Sequence, residues 1–472
     1  MMDRARIAAG GLRDFAQGLG HPTLRLGVTG LAGSGKTVFI TALVHALTKG
    51  ARLPLFDAYA QGRIARAYLE PQPDDDLPRF AYDEHVAALT GADRHWPEST
   101  RRLSQLRLTI DYTPLGIIAR NFGSGFLHVD IVDYPGEWLL DLPLMTMTYS
   151  QWSAATIAQS RQPPRATLAR DWHDLLATLD PSARGEEAIA LKSAMLFTSY
   201  LARCRSRDVS LSTLPPGRFL MPGDLAGSPL LTFAPLDVDP HMDFPRSSLG
   251  ALMERRYDSY VAKVVKPFFF GHFARLDRQI VLVDALAALN AGPEAVKDLR
   301  DAITGVLACF RQGATSWISS LFGHRIDRIL FAATKADLLH RTSHDRLENI
   351  LKLIVAEAAT RAEFFGAKID VAALAAIRAT REAMVKQGRQ ELPCIVGTPE
   401  KDETIGSESF DGKSEAAAFP GDLPGDPTEA LAGGAEGTIK FIRFRPPDPG
   451  AMGFPHIRLD RSLEFLLGDR LA

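Results

Sequence analysis

The stretch Gly30-Leu31-Ala32-Gly33-Ser34-Gly35-Lys36-Thr37, "GLAGSGKT", follows the apolar run "LRLGVT" and precedes "VFITALVHAL" at helical spacing. Strand, glycine loop and amphipathic helix in that order frame a phosphate-binding loop. Successive backbone N–H groups in such a loop form a concave anion site, and the helix adds the positive end of its dipole. Gly33 and Gly35 take conformations that a side chain forbids, so the backbone can close on phosphate oxygens. Lys36 then supplies a point charge to the β- and γ-phosphates, and the Thr37 hydroxyl is placed to bind Mg²⁺. Gly30 and Ser34 complete the expected nucleotide-binding loop.

A phosphate loop serves many reactions, so the class depends on the motifs downstream of it. From Leu103 the apolar period changes to two: Leu106, Leu108, Ile110 and Tyr112 alternate with polar neighbours, "NFGSGF" turns, and Leu127, Val129 and Ile131 alternate again. This predicts a β-hairpin ending at Asp133. Asp133-Tyr134-Pro135-Gly136 then offers a carboxylate that can hold Mg²⁺ through water and a Gly136 N–H that can meet a γ-phosphate. Loss of that phosphate releases the glycine, which is how a switch segment senses hydrolysis.

Further on, "RILFAATKADLL" ends a buried strand in Thr334-Lys335-Ala336-Asp337. A carboxylate there accepts from both N1–H and the exocyclic amine of guanine. Adenine leaves it without a donor, and an unpaired buried charge discriminates strongly. Lys335 can lay its stem along base and ribose. A partial match at Arg378-Ala379-Thr380 offers a backbone N–H to the guanine O6. Phosphate loop, hairpin, D-x-x-G, T-K-x-D and a last strand around "VAALAAIRAT", in this order, predict an α/β GTPase core. Its expected sheet is mostly parallel with one antiparallel hairpin strand and helices on both faces, and a helical insertion interrupts it.

Composition sets the limits. At 472 residues the chain is expected to hold two or three units. Its 54 basic and 56 acidic side chains nearly cancel, so no global field points to nucleic acid or anionic lipid. Cys204, Cys309 and Cys394 are few and far apart, which suits reduced thiols in a cytosol. No run of 18 apolar residues is present, so no spanning helix is expected. Residues 1–20 can form a short amphipathic helix lying on the domain or, alternatively, on a membrane, so membrane association is at most peripheral.

The expected division is 1–144 for the first part of the core, 145–260 for a mainly helical insertion with a Pro/Gly-rich bridge, and 261–472 for the second part. Within the last, 400–437 is small, acidic and Pro/Gly-rich, and is expected as a mobile surface loop before a closing strand, "TIKFIRF".

The stretches "LPPGRFLMPGDL", "VVKPFFFGHFARLDRQIVLVDALAALNAG" and "FPHIRLDRSLEFLLGDRL" resemble the YcjX-like family of bacterial P-loop GTPases over nearly the whole chain. The resemblance implies a guanine-nucleotide-binding domain of the translation-factor-related class with a helical insertion, GTP or GDP as ligand, Mg²⁺ as cofactor, and a cytosolic protein associated with stress responses.

A GTPase of this type needs a switch threonine on Mg²⁺. Thr100 is the candidate, with Ser99 and Ser104 as alternatives. Trp96 can stack on the base or pack as a buried loop residue. Glu137 stands where many small GTPases carry the glutamine that orients water. A carboxylate there is repelled by the γ-phosphate unless protonated or turned away, which predicts slow turnover, on the order of 10⁻⁴ to 10⁻² per second. Arg94, Arg101 and Arg102 flank the switch, and Arg101 is the candidate for offsetting transition-state charge. "PFFFGHF" reads as core packing or as a partner-binding face. The expected function is a slow regulatory switch with an unidentified protein partner. The alternatives are a small-molecule kinase and a partner-binding module that holds nucleotide without turnover.

Overall fold

The structure is a computed structural model that describes residues 22–31, 33–98, 102–116, 125–206, 209–308, 326–387, 390–405, 408–439, 442–450 and 452–472. The chain divides into two compact units, one formed by 1–134, 275–293 and 320–472, the other by 135–274 and 294–319.

The first unit is built on seven strands: β1 (Thr23–Thr29), β2 (Ile64–Glu70), β3 (Ser104–Tyr112), β4 (Gly125–Asp133), β5 (Arg278–Val283), β6 (Arg328–Ala333) and β7 (Lys368–Ala373). They lie in the order β2-β3-β4-β1-β5-β6-β7. The hairpin β3–β4 pairs antiparallel from Ser104 opposite Asp133 to Tyr112 opposite Gly125, as its period-two pattern requires. The remaining pairs from β4 through β1, β5 and β6 to β7 are parallel. Every residue of β5 is buried, so this strand is covered on both faces, the condition under which parallel sheets form. The α/β core with a mostly parallel sheet and an antiparallel hairpin is thus present.

The helices of the two units include α1 (Lys36–Lys49), α2 (Glu187–Cys204), α3 (Leu249–Tyr260), α4 (Pro293–Ala308), α5 (His344–Phe364) and α6 (Leu459–Leu467). α1 buries Phe39, Ile40, Leu43, Val44 and Leu47 in one stripe, and Gly50 at φ 93° ends it. That stripe meets Leu24, Leu26 and Val28 of β1, alternate strand residues and clustered with Leu463, Leu466 and Leu467 of α6. α6 is also tied by charge. Arg278, fully buried at the start of β5, donates from Nη1 to Asp469 Oδ1 at 2.6 Å and from Nε to Asp327 Oδ1 at 2.9 Å.

Four features differ from the sequence reading. β2 adds an unexpected strand at the edge, pairing antiparallel with β3 and so running in the direction of β4, which leaves β3 as the one reversed strand. β7 begins at Lys368, ahead of the expected "VAALAAIRAT". A small second sheet starts with the hairpin of β8 (Arg381–Gln387) and β9 (Gln390–Gly397), and the stretch 400–437 adds to it rather than forming a plain loop. Within that stretch β10 (Thr404–Ile405) pairs with β11 (Glu408–Ser409), and β12 (Ala416–Ala418) pairs with β9. Backbone hydrogen bonds need no side-chain signal, so an alanine run can extend a sheet unannounced. Finally, "TIKFIRF" forms no strand among its described residues. Phe444 makes one isolated bridge to Pro399, and Ile442 and Phe444 bury against Ile395 and Ala418.

The second unit contains no strand among the described residues, only the isolated bridge Arg184–Ser248. Its core is aromatic: Trp152 stacks on Tyr257 at 5.2 Å between ring centroids, and Trp172 on Tyr200 at 5.2 Å. The expected insertion 145–260 lies inside this unit, which also takes in most of α4. Arg165 and Asp298 form a buried ion pair at 2.5 Å that fixes α4 there. Cys204 and Cys394 are free and buried, whereas Cys309 and residues 1–20 fall outside the described residues.

Candidate nucleotide site

The parallel register decides where the loops gather. Val28 pairs beside Asp133, Thr29 beside Val281, and Val283 beside Ala333, which pairs beside Ala373. The loops after β1, β5, β6 and β7 therefore share one edge, the carboxyl ends of the strands, where open α/β sheets bind ligands. Only β5 separates β1 from β6, so the two loops start about 10 Å apart. That span suits a phosphate tail at one loop and a base at the other.

Gly33 (φ 79°) and Gly35 (φ 88°) hold the left-handed conformations that the loop demands. Gly30 is required for space, since a Cβ there would lie 2.5 Å from Leu282 O and 2.4 Å from Ser34 Oγ. Lys36 opens α1, and its Nζ donates to Gly30 O at 2.6 Å. The ammonium is thereby held over the loop. Ser34 Oγ is buried with no hydrogen-bond partner among the described residues. An orphaned hydroxyl in this concavity fits a phosphate oxygen.

The residues expected to hold a metal are equally local. Thr37 Oγ1 donates to Glu98 O at 3.4 Å, which brings the end of the 94–98 stretch to the threonine expected to bind Mg²⁺. Asp133 closes β4 at 1% exposure, with Ser104 directly opposite it on β3. No cluster of three His, Cys, Asp or Glu suited to a metal occurs among the described residues. A hydroxyl, one carboxylate and phosphate oxygens fit Mg²⁺, which keeps several waters and takes few protein ligands. Ser99, Thr100 and Arg101 lie outside the described residues. Trp96 donates from its indole N–H to Phe444 O at 2.7 Å and packs partly buried against the core, while Arg94 pairs with Asp448 at 3.5 Å.

Sequence reasoning missed Tyr134. Its fully buried phenol shares a 2.6 Å hydrogen bond with Thr29 Oγ1, which also accepts from Gln279 Nε2. Burial pushes the phenol pKa up, so it stays neutral. It ties the entry of D-x-x-G to the last residue of β1, immediately before the phosphate loop.

At the base end, Lys335 sits in the left-handed region at φ 60°, and its Nζ pairs with Asp284 Oδ2. Asp337 is buried and accepts from the Ala379 N–H at 2.9 Å. Thr380 Oγ1 donates to Asp337 O at 2.5 Å, and Arg378 Nε donates to Thr380 O at 2.7 Å. Thr334 is anchored by its own N–H to Val283 O at 3.0 Å. Thr334, Lys335, Asp337, Ala379 and Thr380 are thus brought together. Burial raises the Asp337 pKa to about 6, with the Ala379 N–H opposing the shift.

Gly136 and Glu137 belong to the helical unit, which begins at Pro135. Gly136 opens a 3₁₀ segment, Gly136–Thr146. Glu137 is buried and its Oε1 lies 2.6 Å from Arg205 Nη2, an arginine at the end of α2 that sequence reasoning did not single out. "LPPGRFLMPGDL" closes on the same segment. Gly217 N donates to Asp141 Oδ1 at 2.6 Å, and Tyr260 Oη donates to Asp141 Oδ2 at 2.5 Å. The Arg218 guanidinium lies 3.1 Å from the centre of the Trp138 ring. Trp138 donates to Met221 O at 2.9 Å and meets Phe268 edge-on at 5.8 Å. Phe268, Phe269 and Phe273 of "PFFFGHF" are buried, so that run packs the core of the helical unit, with Phe270 exposed.

The family described as "YcjX-like family, DUF463" matches residues 24–471. A protein named Ras-like GTPase YcjX from Escherichia coli is 37% identical over 462 residues, 95% of this chain and 96% of its own. A Ras-like GTPase YcjX from Shewanella oneidensis is 35% identical over 483 residues, 97% of each chain.

Proposed function

The chain belongs to the YcjX-like family, and from that premise we propose that it binds guanine nucleotide with Mg²⁺ and hydrolyses GTP slowly, as a regulatory switch. One observation carries the base assignment: the Ala379 N–H donates to the Asp337 carboxylate at 2.9 Å, so the two groups lie together, and guanine would engage each of them in exchange for that bond. An acceptor next to a donor complements the edge of guanine, whose O6 accepts and whose N1–H and amine donate. Adenine offers the reverse pattern.

In this reading the loop amides, Ser34 and Lys36 hold the phosphates, and Thr37 and Asp133 hold the ion, which stabilises charge on the phosphoryl group when bound. Gly136 meets the γ-phosphate, Thr100 completes the ion's shell, and Arg101 offsets charge. The helical unit and the 400–437 stretch are the candidate partner surfaces. A cytosolic, stress-related role is carried over from the family. Among the described residues no helix is long and apolar enough to cross a membrane.

Calorimetric titration with GDP, GTP and ADP tests the assignment. Guanine nucleotides are expected to bind at least about a hundredfold tighter than adenine nucleotides, and Asp337→Asn is expected to erase most of that margin. Equal binding of ADP, or an Asp337→Asn protein that keeps its preference, would contradict it.

A second reading, nucleotide holding without turnover, is favoured by one observation: Glu137 is already engaged by Arg205. Single-turnover GTP hydrolysis distinguishes the two. A measurable rate supports the switch; GDP retention with no phosphate release supports the holding module.

A further inference from the structure

We propose that β8 (Arg381–Gln387) is a self-complementary edge through which two copies of this chain pair. The small sheet runs β12-β9-β8, so β8 is at its rim, and nothing among the described residues pairs with its outer side. Its ladder with β9 is unbroken from Arg381–Val396 to Gln387–Gln390. Of the usual guards of an edge strand it lacks the bulge and the proline, and its charges, Arg381, Glu382 and Lys386, are of mixed sign rather than uniformly repulsive. Met384 is 55% exposed and Val385 36%. The sheet is anchored by Ile395, Ala418, Ile442 and Phe444, with Leu338 and Ala379 packed against them.

Charge selects the occupant. The strand reads Arg-Glu-Ala-Met-Val-Lys-Gln. Laid antiparallel on its own copy about Met384, Glu382 of each chain faces Lys386 of the other, Ala383 faces Val385, and Met384 meets its image on the twofold axis. Both charged pairs are therefore opposite in sign, and the apolar pairs are central. Glu382, Met384 and Lys386 share one face of the strand. Glu382 also lies 3.2 Å from Arg378, and Lys386 is 81% exposed, so Lys386 is the cleaner position to alter. A seven-residue edge pairing belongs with small transient interfaces, which makes the dimer concentration-dependent.

The test is analytical ultracentrifugation of the full chain from low micromolar concentration to the solubility limit, with no nucleotide requirement. Lys386→Glu and Glu382→Lys each set like charges across both pairs and are expected to raise the dimer dissociation constant about tenfold or more. The double exchange restores opposite charges and is expected to return it near the wild-type value. Independently, Met384→Cys places two thiols about 4.5–5.5 Å apart at Cα, so mild oxidation should yield a covalent dimer. A wild type that stays monomeric throughout overturns the proposal. So do charge variants that dimerise like wild type, a double exchange that fails to restore pairing, or a Met384→Cys protein that forms no covalent dimer.

Discussion

Substituting Gly217 by alanine tests how tightly the helical unit grips the segment after D-x-x-G. A Cβ at Gly217 would stand 1.8 Å from the Glu137 carbonyl oxygen, 2.4 Å from its carbon and 3.0 Å from Glu137 Cβ. The first two are backbone atoms, so no rotamer change relieves them. Opening the contact to 3.0 Å, the shortest that real Cβ atoms show, displaces one of the two backbones by about 1.2 Å. Such overpacking costs about 1–3 kcal/mol. The same displacement stretches the 2.6 Å bond from Gly217 N to the buried Asp141 carboxyl, a contact worth about 1.5–3 kcal/mol. Together these predict a loss of about 2.5–6 kcal/mol, or a fall of roughly 5–24 °C in the melting temperature of a unit this size. Differential scanning calorimetry is the assay. Gly271→Ala serves as the control, because a Cβ there meets nothing within 4 Å and the residue ends a helix. The control should be neutral or stabilising by up to about 1 kcal/mol. A Gly217→Ala protein that melts with the wild type would refute the claim that Glu137 and Gly217 are in contact.

Two further outcomes concern the same unit. Asp141 is fully buried, and that burial raises its pKa to about 7, against bonds from Tyr260 and Gly217 and the charge of Arg218. Between about pH 4 and pH 7 the folded unit therefore holds a proton that the unfolded chain has lost, so stability falls as pH rises through that window. Asp141→Asn should flatten this slope by up to ~1.4 kcal/mol per pH unit, read from urea midpoints against pH; an unchanged profile would assign the slope elsewhere. Arg205→Ala removes the ion-pair partner at the buried Glu137 Oε1 and should cost up to about 3–5 kcal/mol, part of it recovered by adding Glu137→Gln, while no recovery would mean that Arg205 acts through packing.

Much of the first unit was legible because its signals are local. Glycine spacing at Gly30, Gly33 and Gly35, period two in β3 and β4, and apolar runs ending in Asp133 and Thr334 each report a short-range backbone requirement. The edge strand β2 was not, because "IARAYLE" is half-exposed and interrupted by charge, which blurs its alternation. Nor was the unit boundary at Pro135, since "GEWLLDLPLMT" adopts 3₁₀ turns that match neither helical nor strand period. The Asp141–Tyr260–Gly217 and Tyr134–Thr29 contacts join residues far apart in the chain. Only a folded core brings them within reach, so composition and spacing are silent about them. The proposed base-reading pair was half visible: Asp337 through its strand-end motif, Ala379 through a partial match that carries its N–H on the backbone.

Strand β1 waits for its neighbour. Leu26 pairs beside Arg278, and about 250 residues, the whole helical excursion included, intervene. At a ribosomal pace of about 5–20 residues per second, one flank of β1 stays bare for roughly 12–50 s after it emerges. Closing so long a connection is also entropically slow. The architecture that gathers the loops after β1 and β6 on one rim thus leaves a nascent half-sheet with an unsatisfied border.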